Sequence, residues 1–293
     1  MGRHCLGTPF GIALPVMENI MPTLPEDEQV RGNAYLCQVG ACVSCGSCCG
    51  LYNIRDLSRE RLHAILADRT TAFAQVPRTI DAILAFEAGR MEQEGTDYPI
   101  ENFHHCAFVG LIQDQGERVG CMLHPLAQGN GGVDRRGLSH YGGAACKHFF
   151  CPTYDELEPH RKRLVRTLLG DWYEYGLIIP EHRFLAALLD ILEERTGRAL
   201  DARSLEEPAR KAVADLLRLR LDWPFRDPGA PGAWNFFSTR DTERPGLSDR
   251  TPRNDPRLVC ILHELDTVPD QEEQAAQRLA ELIDQATAAI GAK

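Results

Sequence analysis

The chain has 293 residues, 43% hydrophobic and 25% charged, with a net charge of −10. That balance supports a globular core without a compensating disulfide framework. The acidic excess argues against a nucleic-acid binder, which needs a basic footprint to displace counterions, and no stretch approaches the roughly 20 apolar residues that span a bilayer.

The N-terminal segment is mildly apolar but interrupted by Gly7, Pro9, Gly11 and Pro15, and no small-residue cleavage site follows it. It makes a poor secretory signal. Leu6 stands where myristoylation of Gly2 requires Ser or Thr. The expected location is cytoplasmic. Residues 1–36 read as a lead-in and linker, with Pro22, Pro25 and the acidic run Glu26-Asp27-Glu28. Residues 37–154 read as a small cysteine-rich, metal-stapled domain with short helices and a β-hairpin. Residues 155–293 read as a mostly α-helical region, and the expected fold class is α+β.

Ser58 is a plausible N-cap for a helix carrying Leu62, Ile65 and Leu66, and Thr79 for one carrying Ile80, Ile83 and Leu84. Gly95 and Pro99 end that helical stretch. Phe108 to Ile112 and Val119 to Leu123 flank Asp114-Gln115-Gly116, which suggests a hairpin. A turn centred on Gln115-Gly116 sets Cys121 opposite Gly110. Cys106 and Cys121 then meet only if the hairpin is bulged or starts after Cys106.

Further on, Leu164, Val165, Leu168 and Leu169 mark a helix joining the two regions. Three more apolar stripes follow: Phe184, Leu188, Ile191 and Leu192; Val213, Leu216 and Leu217, ended by Pro224; and Leu279, Ile283, Ala286 and Ile290. All read as core, with a protein partner for this helical region left open. The basic run Arg161-Lys162-Arg163 reads as a solvated helix face. Trp172, Tyr173 and Tyr175 are expected to pack the two regions together. Trp234, Phe236 and Phe237 form either a core plug or an exposed docking patch.

The chemistry concentrates in Cys42-Val43-Ser44-Cys45-Gly46-Ser47-Cys48-Cys49, a C-x2-C-x2-C-C run, joined by Cys106, Cys121, Cys146 and Cys151. Thiolates are soft, charged ligands suited to zinc and iron–sulfur clusters, and a short glycine-bearing loop presents several of them at little entropic cost. With eleven cysteines and no export signal, metal ligation is a better reading than disulfides. Eight thiols are the number that two four-sulfur sites require, or one four-cysteine cluster with a second site. Neighbouring side chains of an extended segment point apart, so Cys48 and Cys49 serve two nearby centres, or one polynuclear unit, more easily than one ion. The metal candidates are therefore Cys42, Cys45, Cys48, Cys49, Cys106, Cys121, Cys146 and Cys151, with an iron–sulfur cluster or zinc as cofactor.

Other residues compete. Cys37 precedes the run by a C-x4-C step and is a possible ninth ligand. His105, His124 and His148 lie near cysteines and suit a mixed zinc site, and ordinary roles as hydrogen-bonding neighbours of the ligands or as surface residues compete with that. His140 and Tyr141 could line an opening. Arg55, Arg59, Arg135, Arg136 and Lys147 are candidates to offset thiolate charge. Cys5 and Cys260 are isolated, and Cys260 reads as a small core hydrophobe. No dinucleotide, phosphate-loop or serine-hydrolase motif occurs.

The run, followed by a short helix, a cysteine-flanked hairpin and the pair in Cys146-Lys147-His148-Phe149-Phe150-Cys151-Pro152, resembles the CxxCxxCC (YkgJ-type) cysteine-cluster family, described as zinc- or iron-chelating. The resemblance covers Cys42 to Pro152 and places the eight candidates on the family's cysteine positions. Family members often have a short step with an Arg-Pro pair between their last cysteine groups, whereas here 24 residues separate Cys121 from Cys146. One branch is similar to flagellin lysine N-methylases, which use an iron–sulfur cluster and S-adenosylmethionine. Three roles follow as expectations: a metal-binding protein, an iron–sulfur oxidoreductase or electron carrier, or a cluster-assisted protein N-methylase.

Overall fold

Ser58 starts the first helix, α1 (Arg59–Ala74), by accepting the Arg61 N–H at 3.3 Å. The structure is a computed structural model that describes residues 33–94, 98–100, 103, 105–113, 116–230 and 255–291. Leu62, Leu66 and Phe73 bury one face of α1, as their spacing requires. Helix α2 (Ile80–Glu94) opens at Thr79, whose hydroxyl accepts the Ala82 N–H at 3.4 Å. Its buried face is narrower than its apolar residues suggest. Ile83 is buried, whereas Ile80 and Leu84 are 61% and 43% exposed. Arg69 of α1 is buried and donates to Glu94 of α2 at 2.8 Å, and Arg90 returns to Asp68.

Strands β1 (Val109–Gln113) and β2 (Glu117–Cys121) form an antiparallel hairpin. Val109 pairs with Cys121, so the register is one residue off the expected Gly110. The hairpin does start after Cys106. Helix α1 anchors it, because the Thr70 hydroxyl accepts the Leu111 N–H at 2.7 Å.

Eight helices follow among the described residues: α3 (Gly142–His148), α4 (Pro152–Glu156), α5 (Pro159–Leu168), α6 (Trp172–Ile178), α7 (His182–Thr196), α8 (Glu207–Asp222), α9 (Pro256–Glu264) and α10 (Glu272–Ile290). Prolines stand in the first turns of α4, α5, α8 and α9, where their missing N–H costs nothing. The stripes on α7, α8 and α10 all enter one core, together with Leu164 and Val165 of α5. Inside it, Arg220 and Glu181 form a buried ion pair at 3.2 Å. The architecture is α+β, and among the described residues no helix is long and apolar enough to cross a membrane.

Leu36 and Val39 lie in the same core, and Cys45, Cys151 and Tyr154 pack against it. Residues on both sides of 154 thus share apolar packing. The aromatic cluster joins them as its position suggested. Tyr175 donates to the Leu36 carbonyl at 2.8 Å and Tyr173 to the Leu57 carbonyl at 3.0 Å. Trp172 packs in a second core with Leu51, Tyr52 and Leu62. A Cβ at Gly176 would lie 1.8 Å from the Tyr52 hydroxyl, so glycine lets α6 close on the chain that follows the cysteine run.

The basic run is not a simple solvated face. Lys162 is buried, and its ammonium reaches Asn33 Oδ1 at 2.6 Å, the Tyr154 carbonyl and the Tyr154 ring. Arg161 is held by Glu193 and Asp190. Cys260 is half-buried against the main core. Cys5, Trp234, Phe236 and Phe237 lie outside the described residues.

Candidate functional site

The segment before the C-x2-C-x2-C-C run folds back on it. Cys45 donates its N–H to the Cys37 carbonyl at 2.9 Å, Gln38 pairs antiparallel with Ser44, and the Val39 N–H meets the Val43 carbonyl at 3.1 Å. Cys37 therefore stands across from Cys45. Cys42 sits in the bend near the tip. There it lies against the β1–β2 turn, where a Cβ on Gly116 would come within 2.9 Å of the Cys42 sulfur. Cys42 is disulfide-bonded.

The small hairpin is laced to β2. Gln38 donates its amide to the Val119 carbonyl at 2.7 Å, and Ser44 accepts the Val119 N–H at 2.8 Å. A single 3-10 turn, Ser47–Cys49, follows. It carries Cys48 and Cys49 toward different neighbours. Cys48 faces Cys37, Cys45 and Cys151. Cys49 faces Cys106 and Cys121, and the Cys106 N–H donates to the Cys49 carbonyl at 2.8 Å. A turn between Cys106 and Val109 brings Cys106 beside Cys121, both against Phe73 and Phe108. Cys146, on α3, completes this second group with its sulfur 3.1 Å from the Ser139 hydroxyl.

Of the eight sequence candidates, seven therefore gather with Cys37 in two adjoining sets. One is Cys37, Cys45, Cys48 and Cys151; the other is Cys49, Cys106, Cys121 and Cys146. Cys42 stands apart. The signal that could have found Cys37 is the short polar-tipped step Gln38 to Ser44, which reads as a tight hairpin.

Burial pushes the Cys37 and Cys45 thiols well up, and neighbouring Cys48 and Cys151 add to it. Cys49 is raised chiefly by its hydrogen bond to Cys48, which is lowered by the same bond. Cys106 is pushed up to about 12 and Cys121 to about 11, both first by burial. Cys151 is raised by burial. Burial that raises a thiol in this way favours its protonated form until a cation displaces the proton.

The basic groups around them match those expected only in part. Arg136 is near Cys121 and Cys146 and is clamped by Asp134 at 3.0 and 2.8 Å. Lys147 also pairs with Asp134, at 2.9 Å. Arg59 instead pairs with Asp171 and covers the Tyr173 ring, and Arg135 holds the Asn130 and Val133 carbonyls. Two cations were missed. Arg69 donates to the Cys106 carbonyl at 3.0 Å, and Lys162 lies near Cys151. Arg69 was legible as a charge inside the Leu62–Leu66–Phe73 stripe.

The histidines have other neighbours. His105 is buried with Nε2 3.3 Å from Arg69 and its ring edge-on to Tyr98. His124 Nδ1 accepts the Leu126 N–H at 3.2 Å. His148 is exposed at the end of α3. Tetrahedral zinc with bonds of about 2.3 Å draws four sulfurs around one point. Among the described residues no three Cys, His, Asp or Glu side chains are drawn together in a group that could hold an ion. The donor chemistry fits a soft metal, and the neutral thiols stop short of convergence.

Compared with known proteins, the chain matches no family model, no curated protein and no solved structure. The family resemblance therefore rests on the cysteine spacing alone.

Proposed function

We propose that this is a metal-binding cysteine-cluster protein with two adjoining four-thiol centres, taking zinc or iron–sulfur clusters. Cys37, Cys45, Cys48 and Cys151 would hold one, and Cys49, Cys106, Cys121 and Cys146 the other. The carrying observation is that Cys48 and Cys49, whose thiols hydrogen-bond to each other, link two groups of cysteines, with Cys37, Cys45 and Cys151 near Cys48 and Cys106 and Cys121 near Cys49. Closure onto a metal would fall to side-chain rotation and loop adjustment as the thiols lose their protons. Zinc would supply folding free energy, whereas iron–sulfur clusters would also supply electron transfer. Eight thiolates carry eight negative charges and two zinc ions return four positive ones. Arg136, Arg69 and Lys162 stand where they offset part of the remainder.

The test is oxygen-free purification of the full chain with elemental analysis and an absorption spectrum. The expected result is about two zinc ions per chain without colour, or several irons with a brown spectrum that bleaches on reduction. A folded preparation with neither metal would sink the proposal.

A further inference from the structure

The two thiol sets differ in access. Cys146 is exposed, while every other described cysteine is half-buried or buried. It sits on α3, which buries none of its side chains and leans on the 3-10 turn Arg136–Leu138. The chain enters α3 through Gly142 at φ 75°, a left-handed geometry that glycine adopts without strain. Little apolar packing holds this helix, so it belongs to the low-stability end of the fold.

Beneath α3 lies a cavity of about 120 Å³. The four sulfurs of the second set line it, as does Cys48. Phe108, Phe149 and Tyr141 supply apolar walls, and Arg136 supplies a fixed positive charge. The volume holds several waters or a small ligand. Apolar walls, one cation and soft ligand chemistry together favour a small thiol taken up as its thiolate.

We infer that the second centre is an open site in which Cys146 is a releasable ligand and a small exogenous thiol takes its place. This rests on the metal-binding reading above. In the exchange Cys146 takes a proton and leaves. The incoming thiol gives one up and occupies the position, so sulfur count and charge are unchanged. The first set packs against the main core through Cys45 and Cys151, and the exchange is assigned to the second set alone.

The test uses the full-length chain loaded with cobalt(II) without oxygen, with metal counted first. Iodoacetamide labelling mapped by mass spectrometry should then modify Cys146 at least about tenfold faster than the other seven ligand thiols, as the one exposed member. Cys146→Ala should bind one metal, and ethanethiol should restore the second together with its visible absorption band. Circular dichroism of that variant checks that the exposed substitution leaves the fold intact. Cys146 labelling no faster than the rest, or no recovery with ethanethiol, overturns the inference while the metal count still stands. A wild-type chain that takes up no cobalt overturns the metal-binding reading itself, and this inference with it.

Discussion

The C-terminal helices and the cysteine-bearing region achieve order by different physics. From α7 to α10 each helix turns an apolar stripe inward, and Phe184, Leu188, Val213, Leu217, Leu279 and Ile283 meet in one core. Burial of that kind is worth about 1.5–3 kcal/mol per large side chain. Between residues 37 and 51 the chain is mostly small and polar, with Val39 and Leu51 its buried apolar anchors, and it is fixed also by backbone pairing and by the Gln38 and Ser44 contacts to Val119. Its thiols are packed together with little apolar gain. A helical core is complete as folded, whereas the proposed metal centres would add to the order that backbone pairing alone gives the thiol-rich loop.

The sharpest break in that comparison is the double variant Cys48→Ser with Cys49→Ser, which removes one ligand from each proposed centre. Structural zinc contributes on the order of 10–16 kcal/mol in small domains. Hydrogen exchange should therefore show residues 37–51 losing protection while α7, α8 and α10 keep theirs. Equal loss across the chain would mean that the two regions do not differ in this way.

A smaller effect separates the two neighbouring cysteines of the loop. Cys37→Ser should lower the metal count by one centre, and Cys42→Ser should leave it unchanged, both read by elemental analysis. The reverse result would return Cys42 to the ligand set.

On the helical side, Arg220→Ala removes the buried guanidinium that faces Glu181 and should cost about 3–5 kcal/mol in urea unfolding. Metal content should not change. A fall in metal content would show that the helical core also supports the cysteine region.

The mildest handle is pH on the metal-free chain. Unfolded thiols ionise near 8.5, whereas folded Cys106 and Cys121 are pushed up to about 12 and about 11. The folded state holds more protons between those limits, so its stability falls as pH rises through that window. This contribution is present in full below about 8.5. Thermal melts from pH 7 to 10 should show a declining midpoint, and a metal-loaded sample should show a weaker decline, because its thiols are already deprotonated.

The sequence by itself determined the helices, because periodicity and caps are local. Ser58, Thr79 and the stripes on α7, α8 and α10 lie where their spacing puts them. Spacing along the chain also singled out the cysteines as the candidate site, but not the 3-10 turn Ser47–Cys49 that keeps the Cys48 and Cys49 thiols in contact. Tertiary structure alone decided which thiols are neighbours. Cys37 stands beside Cys45 because a hairpin places residue 37 across from 45, and spacing along the chain does not encode that reversal. The hairpin register shifted by one residue where α1 holds Leu111 through Thr70. Lys162 became buried because Asn33 and Tyr154, both remote or out of its stripe, supply its oxygens. Local pattern fixes which residues can pair, and only the closing of distant segments on each other settles which of them do.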